Sequence, residues 1–171
     1  VANAKTQVMT ATIQACQGYS GCKVLSIENV LISDAAAAMP GVVRTLLAAH
    51  GAAWTYSLAI NDVYFDEINF PLALAGRTDI RNVSAGDGSN KALGRIAAGI
   101  SQQVATVAEP LKMHGYQLAD ELNRALAGAP PSGFQSTPIL VTTALMKATG
   151  KRGIESTSGF EAAYSAIWAR K

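Results

Sequence analysis

The chain has 171 residues, 49% of them hydrophobic and 15% charged, which supplies apolar material for one packed core of ordinary size. Its 14 basic and 12 acidic residues leave a formal net charge of +2, and no Lys/Arg cluster of the kind that tracks a phosphate backbone occurs, so nucleic acid is not expected as a partner. No apolar segment approaches the ~20 residues needed to cross a bilayer, and residues 1–16 lack the successive sections of a signal peptide, so the expectation is a soluble chain, either a mature form or a fragment.

Residues 3–16 have helix-forming composition and end at a "QGYSG" turn. The only cysteines, Cys16 and Cys22, flank that turn. A short Gly-containing loop lets their Cα atoms approach, so a disulfide worth roughly 2 kcal/mol is geometrically reasonable; two unpaired thiols are the alternative. Their spacing fits neither a CxxC redox pair nor zinc. A formed disulfide would imply an oxidising compartment.

"CKVLSIENV" then reads as a buried strand, Val24 to Ile27, ending on Glu28-Asn29. A helix over 34–50 follows, which Pro40-Gly41 must start or kink, and Gly51 closes it. "WTYSLAI" is the next strand, stopping abruptly at Asn61-Asp62. "VYFDEINFPLALAG" predicts a helix interrupted by Pro71 and capped by Gly76. "IRNVSAG" is a strand ending at Asp87-Gly88, followed by a helix over 89–99, and "QQVATVAE" a strand ending at Glu109. From Leu111 to Leu126 the apolar residues recur at three- and four-residue steps, the clearest amphipathic helix in the chain. "APPSGFQSTPILVTT" is a proline-stiffened crossing segment that leads into a strand, Ile139 to Thr142. The tail from Ala144 is polar and Gly-rich until "GFEAAYSAIW", a short terminal helix. Strands alternating with helices imply an α/β, Rossmann-like three-layer sandwich with a mainly parallel sheet.

Strand ends carry the candidate chemistry. In a parallel sheet the carboxyl ends share one edge, so Asn61-Asp62, Asp87 and Glu109 would converge in one crevice. Carboxylates and amides there suit the paired hydroxyls of a neutral polyhydroxylated ligand, at about 1.5 to 3 kcal/mol for each charge-assisted bond. Tyr64 or Phe65 could stack on a sugar ring, and Asn29 ends the first strand in the same way. Taken singly, Asn61, Asp62 or Asp87 reads as a helix N-cap; Glu109, a poor capping type before Pro110, fits that explanation worst. No GxSxG elbow accompanies His50 or His114, GxGxxG and GxxxxGK[ST] are absent, and the spacing of two carboxylates across a sugar is not legible in a sequence. No enzyme activity, cofactor or metal is expected.

Four motifs, "AINDVYFDEINFPLALAG", "NVSAGDGSNKALGRIAAG", "ATVAEPLKMHGYQLADELNRALAG" and "TPILVTT", stand in the order and at spacing similar to those of a known family. Over roughly residues 20–143 the chain resembles the C-terminal lobe of the periplasmic sugar-binding proteins of ABC transporters, of the type 1, ribose-binding kind. The resemblance implies that Asn61 and Asp87 bind sugar hydroxyls, that Glu109 takes the place of the usual Gln at the hinge, and that Asp62 caps the following helix. It departs in "SAGDG" for the usual "GFDG", and the family's Arg-containing helix near the start of this lobe is not evident. It implies a lobe over 1–143, an extension over 144–171, and a hinge-crossing helix within 110–130 that belongs to the first lobe. That first lobe is missing, so the chain is expected to be a fragment whose leucine stripe packs on another chain, by self-association, or on the remaining lobe. The implied function is sugar or polyol delivery to ABC permease membrane subunits from the periplasm, or from an extracellular, membrane-tethered position. The alternative is the effector-sensing domain of a lactose-repressor-type transcriptional repressor.

Overall fold

The computed structural model describes residues 1–16, 22–149 and 159–169; the expected turn at 17–21 and the Gly-rich stretch at 150–158 lie outside the described residues. Strand and helix alternate as the periodicity requires. Helices α1 (Ala2–Gln14) and α2 (Ala35–His50) precede strand β1 (Tyr56–Ala59), and then follow α3 (Val63–Leu74), β2 (Arg81–Ser84), α4 (Asn90–Ala98), β3 (Gln103–Ala108), α5 (Leu111–Leu126), β4 (Ile139–Thr142), α6 (Thr143–Thr149) and α7 (Phe160–Trp168). The strands lie in the order β1-β2-β3-β4; the first three are parallel and β4 runs antiparallel to β3. The molecule is thus α/β with a mainly parallel sheet.

One core forms where α2 and α3 meet. Ala35, Met39 and Val43 recur every fourth residue on α2 and bury against Phe65, Ile68 and Leu72 of α3, with Trp54 and Ile80 beneath. Pro40 and Pro71 sit inside continuous helices. Interruption at Pro71 was expected, but a proline removes one intrahelical bond, and burial of Leu72 to 0% exposure on the next position offsets that loss. The helical run Ile32–Ala53 has 22 residues and a mean hydropathy of 1.2, so one segment does reach membrane-spanning length by composition, contrary to expectation. Its buried face against α3 and its Asp34, Arg44 and His50 suit a packing helix. A second core gathers Leu93 and Ile96 of α4, Ala108, Val141 and Met146. Met146 lies on α6, a helix inside the stretch read from the sequence as a polar tail.

The strand expected at Val24 to Ile27 does not form; residues 22–31 carry no regular structure. The described sheet ends at β1, whose outer edge is left unpaired and where Tyr56 and Leu58 are exposed. Leu25 and Val30 reach the α2–α3 core without pairing. A disulfide joins Cys16 to Cys22, with their Cα atoms 5.9 Å apart.

Beyond Pro110 the chain builds an arm. Helix α7 covers one face of α5: Tyr116 stacks on Trp168 at 5.6 Å and meets Phe160 edge-on at 5.4 Å, and the Trp168 indole donates to Asp120 Oδ1 at 3.0 Å. Leu111, Leu118, Leu122 and Leu126 form the other face and remain 57 to 81% exposed. The stripe expected to need a partner is therefore bare.

Near the start of β1, Arg77 donates to Asp79 and to the carbonyls of Gly51 and Trp54 at 2.6 and 2.5 Å. Hydrogen bonding from Arg77, above all, holds the Asp79 carboxyl below its ordinary value, with burial opposing. A lowered folded-state value means that the pair's stabilisation is complete above the ordinary carboxylate pKa of about 3.9 and is lost as pH falls through the lowered value. Thermal unfolding followed from pH 7 downward is expected to show a loss on that acid limb which Asp79→Asn lacks. Leu72→Ala, which empties a fully buried site, is expected to cost about 2 to 5 kcal/mol in denaturant unfolding.

Candidate functional site

Three connections leave the carboxyl edge of the sheet. Register places Ala59, Ser84 and Thr106 side by side on β1, β2 and β3, so the segments after them begin from one line. β1 continues into Asn61 and Asp62, β2 into Gly86, Asp87 and Gly88, and β3 into Glu109.

Asn61 and Asp87 meet there. The Asn61 carboxamide donates from Nδ2 to Asp87 Oδ2 at 2.7 Å, while its Oδ1 accepts from the backbone N–H of Val63 at 3.0 Å. That second bond satisfies the first N–H of α3 from one residue before the N-cap position, where Asp62 makes no side-chain cap bond. Asn61 therefore does the capping expected of Asp62. Asp62 is 1% exposed and turns beneath the β2 loop: Oδ2 accepts from the N–H groups of Gly88 and Ser89, both at 2.9 Å. Its Oδ1 accepts from Gln103 Nε2 at 2.9 Å and from the Ser84 hydroxyl. The sequence suggested a cap for Asp62 because Asp is common there; what decided otherwise is a set of donors on β2, β3 and the loop that only the fold assembles. Asp87 is not a cap either, since Ser89 caps α4 by accepting from Ala92 N at 3.2 Å. Its carboxylate is exposed and bonded to Asn61.

Two glycines allow this approach. A Cβ on Gly86 would lie 2.5 Å from the Asn61 Cα, and one on Gly88, whose φ is 72°, would lie 2.5 Å from the Ala108 Cβ. Gly88 thereby lies against Ala108, the residue that precedes Glu109. The Glu109 side chain is 40% exposed, with Oε2 4.0 Å from His114 Nδ1; His114 Nε2 in turn meets the Ser136 hydroxyl.

Lys5 is a member of this edge that sequence reasoning missed. Its ammonium donates to the carbonyls of Ala85 and, at 3.4 Å, Ile60, at the tips of β2 and β1. The available signal was its isolation as the one charged residue in "ANAKTQVMTATIQ".

Two expected members are placed otherwise. Tyr64 packs in the α2–α3 core with its hydroxyl donating to Val30 O at 2.7 Å, and burial pushes its phenol pKa up. Its ring face is covered by protein because the second position of α3 points inward. Asn29 is exposed on the unpaired segment at 22–31, and among the described residues no hydrogen bond joins it to Asn61, Asp87 or Glu109. Away from the strand ends, a groove of about 580 Å³ between α2 and α3 is lined by Val43, Leu47, Phe70 and Leu74 among others. Asp66 in its wall is engaged by Arg95 at 2.6 Å, and Arg44 and Glu67 also line it.

Solved structures share this fold. An ABC transporter solute-binding protein from Agrobacterium vitis with bound allitol superposes with a TM-score of 0.60 and 21% identity, covering 76% of this chain and 45% of that one. An ABC sugar transporter subunit from Rhodobacter sphaeroides 2.4.1 does so with a TM-score of 0.64 and 22% identity, over 84% and 51%. The chain therefore has the fold of a lobe of ABC transporter solute-binding proteins and spans about half their length. No protein-family model matches the chain, and no curated protein does.

Gly86→Ala is expected to destabilise the chain by about 1 to 3 kcal/mol in denaturant unfolding, because its Cβ meets backbone that cannot step aside. Gly94→Ala, where a Cβ would meet nothing within 4 Å, serves as the control and is expected to be neutral or stabilising.

Proposed function

We propose that the chain is part of a solute-binding component of an ABC importer, and that its ligand is a sugar or related polyol held at the carboxyl edge of the sheet. The observation that carries this reading is the pairing of Asn61 with Asp87 across two adjacent strand ends, with Glu109 next to Ala108, which Gly88 contacts. These groups offer acceptors at fixed spacing and a carboxamide already oriented, which suits neighbouring hydroxyls. Lys5 donates to the carbonyls of Ala85 and Ile60 at the same edge. The component has no chemistry of its own in this reading, and its partners are permease subunits in the membrane.

Residues 1–143 supply one of two lobes in this scheme, with 110–130 crossing to the other and 144–171 an extension of the chain. The bare leucines of α5 belong against that other lobe, since each buried Leu is worth roughly 1.5 to 3 kcal/mol. A periplasmic location is supported by the Cys16–Cys22 bond, because disulfides persist in oxidising compartments.

The test is a titration of isotope-labelled chain with allitol and other neutral polyols and sugars, followed by NMR. The expected result is concerted movement of the Asn61, Asp87, Gly88 and Glu109 signals, weakened at least about tenfold by Asn61→Ala or Asp87→Ala. A polyol or sugar that binds elsewhere while those signals stay fixed would remove the site. Absence of binding by all of them, in this chain and in a two-lobed parent, would remove the function.

A further inference from the structure

A buried carboxylate is costly unless its oxygens are fully bonded. Asp62 is 1% exposed and no Lys or Arg among the described residues touches it; four donors serve it instead, from Ser84, Gln103, Gly88 and Ser89. Two of the four belong to the loop that carries Asp87. The bond from Gly88 N to Asp62 therefore runs between the residues next to Asn61 and Asp87, as a second rung beneath the Asn61–Asp87 bond. On its other side the carboxylate is tied outward. Arg95 donates from Nε and Nη2 to Gln103 Oε1 at 2.9 and 2.7 Å, which aims the Gln103 amide nitrogen at Asp62, and Arg95 is itself held by Asp66 Oδ1 at 2.6 Å.

We propose that Asp62 is the positioning residue of the Asn61–Asp87 pair, and that Arg95 on α4 acts on that pair through Gln103 and Asp62. The proposal rests on the reading of Asn61 and Asp87 as ligand contacts for its functional meaning, though not for its test. An Asn at 62 could not substitute. It offers one acceptor oxygen and turns an NH₂ toward donors, so the loop would lose its seat and Asp87 its place beside Asn61. Arg95→Met would free the Gln103 amide to rotate, a weaker form of the same release.

The experiment reads the pair directly, by NMR on the isotope-labelled chain, with the Asn61 side-chain amide as reporter and Asp87→Ala defining its unpaired position. In Asp62→Asn the Asn61 amide signals are expected to move toward that unpaired position, with the Gly88 and Ser89 amides exchanging at least about tenfold faster. Arg95→Met is expected to move the Asn61 signals in the same direction by less, with cooperative thermal unfolding retained. If Gly88 and Ser89 respond but the Asn61 amide keeps its position in a folded Asp62→Asn chain, Asp62 merely staples the loop and the proposal fails. Should Asp62→Asn not fold, Ser84→Ala and Gln103→Met each remove one bond to Asp62 and carry the same readout; an unmoved Asn61 amide in both overturns it. Adding allitol separates the two ideas, because a pair that responds to these variants yet ignores every polyol counts against the ligand reading alone.

Discussion

The arrangement depends on one buried carboxylate. Asp62 takes four hydrogen bonds at the point where β1, β2, β3 and the loop before α4 come together. In a low-dielectric interior such bonds are strong and an unmade one is expensive, so the four elements are held in a single relation to one another. Thr106 extends the web by donating to Gly86 O at 2.6 Å, with its Oγ1 2.9 Å from the Ser84 hydroxyl oxygen. Buried Ser84 and Gln103, which look misplaced in a strand, make sense as partners of this carboxylate.

Everything exposed at the sheet edge is built on that web. Asn61 and Asp87 need not pay for their own order, because the residues beside them are fixed from below. Gly86 and Gly88 allow the loop to lie against Asn61 and Ala108, so the two tips sit at hydrogen-bonding range. The result is a pair of polar groups with a defined separation, the Asp87 carboxylate being exposed.

The arm beyond Pro110 has a different character. Its aromatic contacts tie α7 to one face of α5, and the leucines on the other face are mostly exposed. A helix with one face covered by its own chain and the other bare is suited to meet a further layer, in keeping with solved structures of this fold that are about twice as long.

Much of this was legible beforehand. Helical spacing marks α2, α3 and α5, β-branched and apolar runs mark the strands, and the repeated polar strand ends place Asn61, Asp87 and Glu109 along one sheet edge, because alternation of strand and helix brings carboxyl ends to one edge. Sequence also determined where the close approaches occur, since only Gly tolerates them at 86 and 88. Tertiary structure alone decided which of Asn61 and Asp62 caps the helix, because that turns on donors 22 to 41 positions away along the chain. It decided that Tyr64 faces the core, that Lys5 reaches the edge, and that the apolar run at Val24 to Ile27 stays unpaired. Periodicity reports which residues prefer burial and which bonds a segment can make with itself; it carries no information on which distant partner is present to satisfy a strand edge or a carboxylate.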